Sequence, residues 1–270
     1  MAAPPSTAIL IVNGFDRRSR WGPYDPSEAR RFPWISLCLQ QLARHTSAGE
    51  YRVLVYDQSR LPEHEQILRE HDVEVFSDPD GRHMPHAAAL DLLVDRVEGA
   101  EFIVTLDTDA FPVSDDWLGQ LTGSLHDGAA LAGIYRDEMM PGIRPFIHVS
   151  GLCIRRETLL GLDVSFARDK GQDTGQNITD ALTGMGKRLN PLFRSNKRNF
   201  HFLIGGLYGD LVYHHGAGSR HAKFWTSSDV EADERVRVAL RDAAFEDVDH
   251  LVAVLRGTEE NDLGVAEVLG

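Results

Sequence analysis

Short apolar runs alternate with amphipathic stretches through the first half of the chain. Ala8-Ile9-Leu10-Ile11-Val12 reads as a buried strand that ends at Asn13-Gly14. The polar segment 16–31, rich in Arg and Pro, reads as a loop, and Ile35 to Ala43 repeats apolar residues at helical spacing. Tyr51 to Asp57 is a second strand, Pro62 to Glu70 a helix with Pro in its first turn, and Val73 to Phe76 a short third strand. Ala87 to Val97 reads as a helix with Ala88, Leu92 and Leu93 on one side, followed by a fourth strand over Phe102 to Leu106.

Strand–helix repeats of this length imply an α/β fold with a parallel sheet covered on both faces. Ligands of such sheets sit at the carboxyl ends of the strands. Asn13, Asp57 and Asp107 each stand at such an end, which sets one polar edge apart; solvated loop starts are the plainer reading for Asn13 or Asp57 alone. Downstream, 129–135, 149–154 and 211–214 read as strands and Gln176 to Met185 as a helix. After Asp229 the pattern is acidic and helical, with Val236, Leu240, Val248 and Leu251 as buried positions. These helices are expected either to pack against the core or to form a homodimer contact. No repeat or low-complexity linker divides the chain, so one compact domain over 1–228 with a helical extension over 229–270 is expected.

Composition adds exclusions. With 42% hydrophobic and 26% charged residues, the 270-residue chain can bury a substantial core. A net charge of -13 argues against a nucleic-acid polymer as partner, yet a few local donors or one divalent cation still suffice for a single nucleotide. Apolar runs fall far below the ~20 residues of a membrane span. Met1 to Pro5 lacks the basic start and apolar run of a signal peptide, so a cytoplasmic enzyme is the simplest expectation. Cys38 and Cys153 lie among apolar neighbours and read as reduced, buried thiols rather than a disulfide.

The chemistry centres on Asp107-Thr108-Asp109. Carboxylates at i and i+2 on an extended turn lie on the same side of the chain, which suits a hard divalent cation bridging protein oxygens to a diphosphate. Mg²⁺ or Mn²⁺ there would neutralise charge on a nucleoside-diphosphate leaving group. The stretch from Phe102 to Leu118, with Leu106-Asp107-Thr108-Asp109, then Phe111-Pro112 and Trp117-Leu118, resembles the Asp-x-Asp region of GT-A-fold glycosyltransferases, the large family 2 group above all.

That resemblance implies a mixed, mainly parallel Rossmann-like sheet flanked by helices. It implies a nucleotide-binding half over about 8–112, an acceptor-binding half over about 113–228, and a nucleoside-diphosphate sugar as donor. It makes Asp109 the principal metal ligand and Asp107 its partner, on metal or ribose. Asp57 matches the family's base-reading Asp at the end of the second strand. Asp91 stands on the helix where the family often has Asn. Asn13 and Phe15 occupy the first nucleotide-contact segment, although Val12-Asn13-Gly14-Phe15 departs from the family's Pro-Thr-Tyr-Asn pattern and a long insertion follows. Gly171-Gln172-Asp173-Thr174 is similar to the pair that supplies the catalytic base of inverting members, at Asp173; the plainer role for Asp173 is to cap the helix starting near Thr174. Leu211 to Arg220 resembles the late segment that brings a His to the metal. His214 is the better match there and His215 the reserve, with Arg220 in a loop over the diphosphate.

Other features carry less. His83, His86, His148 and His201 lack metal-ligand spacing and are expected at the surface or in loops. Arg17, Arg18, Arg20, Arg30 and Arg31 form either a phosphate site or a solvated basic loop, and Asp78 to Gly81 reads as a turn. The expected function is a metal-dependent, inverting glycosyltransferase acting on a small-molecule or glycan acceptor. The alternatives are a silent sugar-nucleotide binder of the same fold and an aspartate-nucleophile phosphohydrolase. Phe111 stands where the phosphohydrolase motif carries Thr or Val, which disfavours the latter.

Overall fold

The computed structural model describes residues 6–15, 25–137, 144–167, 172–216, 218 and 230–268. The first half contains β1 (Thr7–Asn13), α1 (Pro26–Arg31), α2 (Trp34–His45), β2 (Tyr51–Asp57), α3 (Pro62–Glu70), β3 (Val73–Phe76), α4 (His86–Arg96) and β4 (Phe102–Leu106). Next come β5 (Ala110–Pro112), α5 (Trp117–His126), β6 (Leu131–Arg136), β7 (Phe146–Arg155), α6 (Arg156–Leu160) and α7 (Gln176–Gly184). The chain continues through β8 (Leu189–Leu192), β9 (Gly206–Tyr208), β10 (Val212–His214), α8 (Val230–Glu246) and α9 (Val248–Leu255). Among the described residues no helix is long and apolar enough to cross a membrane.

Seven strands form one sheet in the order β3-β2-β1-β4-β7-β6-β8, and β5-β10-β9 form a small antiparallel sheet beside it. The β3-β2-β1-β4 half is parallel, as the strand–helix rhythm predicts. β7 runs antiparallel to both β4 and β6, so the sheet is mixed rather than wholly parallel. Alternation along β1 shows why both faces need cover: Ile9 and Ile11 join one core with α2, α5, α8 and α9. Ala8, Leu10 and Val12 join the other, with α4, α6 and α7. The C-terminal helices thus bury Leu240, Val248 and Leu251 in the same core as the sheet.

Two local readings change and one holds. Segment 16–31 is not all loop: Asp25 accepts the Ser27 N–H at 2.8 Å with Pro26 following, and this cap starts α1. On α4 the buried residues are Ala89, Leu90, Leu93 and Val94, while Ala88 is exposed. Both cysteines are free and buried, as expected; the Cys38 thiol donates to the Ala110 carbonyl at 3.3 Å.

β6 approaches β7 closely at Gly133, whose φ of +141° falls beside a register shift in the pairing. A Cβ there would lie 2.0 Å from the Gly151 carbonyl oxygen, with no flexible side chain to yield. Gly133→Ala is therefore expected to destabilise the fold by roughly 3–5 kcal/mol, combining backbone strain and overpacking. Equilibrium denaturation measures this, and an unaltered midpoint would contradict the close approach.

Candidate metal centre and active site

Topology brings the first polar residues together. Asn13 and Asp57 are register partners at the ends of β1 and β2, and β4, on the other side of β1, ends one residue before Asp107. Asn13 donates from Nδ2 to Asp57 Oδ1 at 2.8 Å, and the same nitrogen lies 3.2 Å from His64 Nδ1. Because an amide NH₂ only donates, His64 Nδ1 accepts and its Nε2–H faces the Ala29 carbonyl at 3.2 Å. The Ser59 N–H donates to Asp57 Oδ1 at 3.1 Å, which orients the carboxylate from its own loop. Phe15 instead packs with Ala29 and Leu61 in a small apolar cluster.

The second group assembles around the turn after β4. The Ala110 N–H returns to the Asp107 carbonyl at 3.0 Å, closing the Asp107-Thr108-Asp109 turn before β5. In the small sheet, His214 pairs with Ala110, and the His215 N–H donates to the Asp109 carbonyl at 2.9 Å. That register puts His214 Nε2 3.8 Å from Asp107 Oδ2 and 3.8 Å from Asp109 Oδ1. One ligand atom from each of Asp107, Asp109 and His214 lies within 4.8 Å of the others. Ligands at 2.0–2.1 Å from a Mg²⁺-sized octahedral ion stand about 3 Å apart when adjacent and about 4 Å when opposite, so small adjustments accommodate a cation. Two carboxylates and an imidazole suit Mn²⁺ better than the oxygen-preferring Mg²⁺.

Burial pushes the His214 pKa well below its ordinary value, reinforced by the Arg136 cation, which leaves the ring neutral and able to ligate. Arg136 NH1 lies 3.3 Å from His214 Nδ1. Coordination through Nε2 moves the ring proton to Nδ1, so it also requires Arg136 to give up this contact. Asp109 is further held by the Gly218 N–H, which donates to Oδ2 at 2.8 Å. A Cβ at Gly218 would meet Asp109 Cβ at 2.7 Å and Trp34 Nε1 at 2.8 Å, so this position holds glycine for space.

Not every expected residue joins the cluster. Adjacent strand residues point to opposite sides, and His215 turns inward. Its ring packs at a tilt against Trp34, 4.5 Å between centroids, and its Nδ1 lies 3.2 Å from the Tyr213 hydroxyl. Burial, with Arg237 and Arg241 behind it, drives its pKa well down. His215 is a core residue here, not a member of the metal-ligand set. Asp91 is engaged elsewhere: it accepts the Phe166 N–H at 3.0 Å, and burial raises its pKa. Arg220, Arg17, Arg18 and Arg20 lie outside the described residues. Arg30 and Arg31 are exposed, and Arg30 pairs with Glu63 at 3.3 Å.

Asp173 does not cap α7. That helix begins at Gln176 after Gly175, in the left-handed region, with no side-chain cap bond. Asp173 Oδ1 accepts the Thr174 N–H at 2.8 Å, and Oδ2 faces His148 Nε2 at 3.8 Å. The His148 ring in turn stacks on His214 at 5.9 Å between centroids. Asp173 therefore approaches the metal-ligand cluster through one intervening imidazole.

Three histidines expected at the surface are thus displaced. His148 belongs to the site and His86 Nε2 lies 3.5 Å from Asp107 Oδ1. His201 is buried: its Nδ1 accepts the Leu203 and Ile204 N–H groups, and its Nε2 lies 3.2 Å from Asp233. His148 had a signal, since His148 and Ser150 alternate with apolar Ile147 and Val149 at strand period.

His64, His214 and His215 all have pKa values lowered mainly by burial. The unfolded chain therefore binds protons first, and stability present above pH ~6.5 is lost as pH falls through that value toward the folded pKa values. The melting temperature of the metal-free protein is expected to drop between pH 7 and 5, and His64→Asn, which keeps an acceptor for Asn13, should remove part of the slope. Identical slopes for both proteins would refute a buried neutral His64.

The strand order, the Asp-x-Asp turn after β4 and the mixed sheet define a GT-A fold. Among solved structures, the chain is similar to the mannosyltransferase PcManGT of Pyrobaculum calidifontis, in complex with GDP-Man and Mn²⁺, at 15% identity and a TM-score of 0.52, over 92% of this chain and 65% of that one. It is also similar to S. aureus TarS 1-349, at 12% identity and a TM-score of 0.50, over 92% of this chain and 69% of that one. The likeness is one of fold, and the chain spans less than two thirds of the mannosyltransferase's length. No family model matches the sequence, and no curated protein does.

Proposed function

We propose that the chain is a metal-dependent glycosyltransferase that moves a sugar from a nucleoside-diphosphate donor to an acceptor hydroxyl with inversion. The observation that carries this reading is the meeting of Asp107, Asp109 and His214 at the carboxyl edge of a GT-A sheet. A mannosyltransferase of the same fold, in complex with GDP-Man and Mn²⁺, supports the same class of donor and metal. A bound Mn²⁺ or Mg²⁺ would be held by Asp107, Asp109 and His214, and it supplies charge neutralisation at the leaving diphosphate.

The chain's own residues divide the remaining work. Asp57, held by Asn13 and Ser59, keeps its Oδ2 for an N–H of the nucleobase. The acceptor oxygen attacks the anomeric carbon, its proton passes to Asp173, and the bond from that carbon to the diphosphate oxygen breaks. Arg220 is assigned to the diphosphate, and residues 113–228 to the acceptor. A small-molecule or glycan hydroxyl is the proposed acceptor, and a cytoplasmic location completes the reading.

Incubation with GDP-, UDP- and dTDP-sugars, with Mn²⁺ and with chelator, tests the proposal. Metal-dependent release of nucleoside diphosphate is the expected result. Metal-independent release of inorganic phosphate, or binding without turnover of any donor across an acceptor panel, would overturn it.

A further inference from the structure

We infer that His148 is the positioning residue of the Asp173 base, an inference that rests on the glycosyltransferase reading above. Two donors converge on His148 Nδ1: the Ser150 N–H at 3.1 Å and the Ser150 Oγ at 2.8 Å. The backbone N–H cannot accept, so Nδ1 carries the lone pair and the neutral ring holds its proton on Nε2. That Nε2–H faces Asp173 Oδ2 at 3.8 Å, longer than a direct hydrogen bond, so a small rotation of the Asp173 side chain is needed to complete one.

The ring cannot easily turn away. It lies against His214 at 5.9 Å with 25° between the planes, and against Phe146 at 5.5 Å and 60°. It is half-buried on β7, a central strand of the sheet. Each carboxylate oxygen of Asp173 has a neighbour on a different segment. The Thr174 N–H fixes Oδ1 from the segment before α7, and His148 addresses Oδ2 from β7.

The role of this partner is geometric: an imidazole N–H on Nε2 aims the carboxylate oxygen that takes the acceptor proton. The stacking on His214 places this support between the metal-ligand side of the site and the base, so both ends of the displacement share one rigid ring.

Two replacements separate the ring's two nitrogens. His148→Asn keeps an acceptor near Nδ1 for Ser150 and loses the donor toward Asp173; His148→Gln keeps a donor near Nε2. The expected result for His148→Asn is a kcat about 10- to 100-fold lower, in the range of losing an outer-shell partner, with donor KM and the Kd for Mn²⁺–nucleotide unchanged. His148→Gln should recover most of that kcat. Wild-type kcat in both variants would overturn the inference. So would a loss of Mn²⁺–nucleotide affinity matching the loss of kcat, which would make His148 a support of His214 instead. A wild type inactive on every nucleotide sugar overturns the parent reading and this one together, whereas an active wild type with indifferent variants overturns this one alone.

Discussion

Asp109→Ala is expected to eliminate Mn²⁺-dependent nucleotide binding. Asp109 is the better enclosed of the two acids, with its side chain buried, one carboxylate oxygen beside His214 and the other accepting the Gly218 N–H. Truncation removes a charged ligand atom and one anchor of the segment after β10 in the same step. Losing an outer-shell partner of a metal costs about 10–100-fold in affinity, so losing a ligand itself should weaken Mn²⁺–nucleotide binding by more than about 100-fold. The Gly218 N–H left without its acceptor adds about 1–3 kcal/mol of destabilisation. Asp109→Asn, which keeps an oxygen for Gly218 and loses the charge, separates the two effects: stability recovers while metal affinity does not. Calorimetry with GDP and UDP, with and without Mn²⁺, alongside thermal melts, reads both quantities. Binding of Mn²⁺–nucleotide by Asp109→Ala at wild-type strength would remove Asp109 from the metal site.

Much of that site is legible in the sequence because its acids sit where strands stop. Asn13, Asp57 and Asp107 each follow an apolar run directly, and parallel pairing of consecutive β-units aligns such ends on one edge. The parts that could not be read depend on contacts between elements distant in the chain. β7 enters the sheet antiparallel between β4 and β6, and only that placement brings His148 beside both His214 and Asp173. His64 reaches Asn13 across 51 positions, and no local spacing encodes the meeting. The buried face of α4 is hidden in the sequence for a different reason. His86-Ala87-Ala88-Ala89-Leu90-Asp91-Leu92-Leu93-Val94 is apolar almost all round, so periodicity alone does not select Ala89 and Leu90 over Ala88 and Leu92. The adjacent pair His214-His215 is told apart only by the pairing of β10 with β5, because strand alternation then sends one ring to the acids and the other to Trp34.

Asp173→Asn should abolish transfer and leave nucleotide binding intact, the reverse of the Asp109→Ala pattern. Asparagine keeps the size of the side chain and an oxygen for the Thr174 N–H, so the segment before α7 retains its anchor. It removes the negative charge and the capacity to take a proton from the acceptor hydroxyl, and it turns an NH₂ in place of Oδ2 toward His148 Nε2. Loss of a general base lowers rates by about 10²–10⁴-fold, so kcat for transfer should fall by that factor while the Kd for Mn²⁺–nucleotide holds. Two further readouts sharpen the outcome. Hydrolysis of the donor by water needs the same proton acceptor when Asp173 activates the nucleophile, so it should fall in parallel with transfer. The melting temperature should hold, because Gln176 addresses the Asp173 backbone N–H rather than its carboxylate. A drop in nucleotide affinity or melting temperature equal to the drop in activity would make Asp173 a structural residue of the loop before α7. The base would then have to be sought among other groups near His214. Retained activity with an inverted product would likewise exclude Asp173, whereas a product of retained configuration would show that the two-carboxylate edge serves a mechanism in which no base is needed at this position.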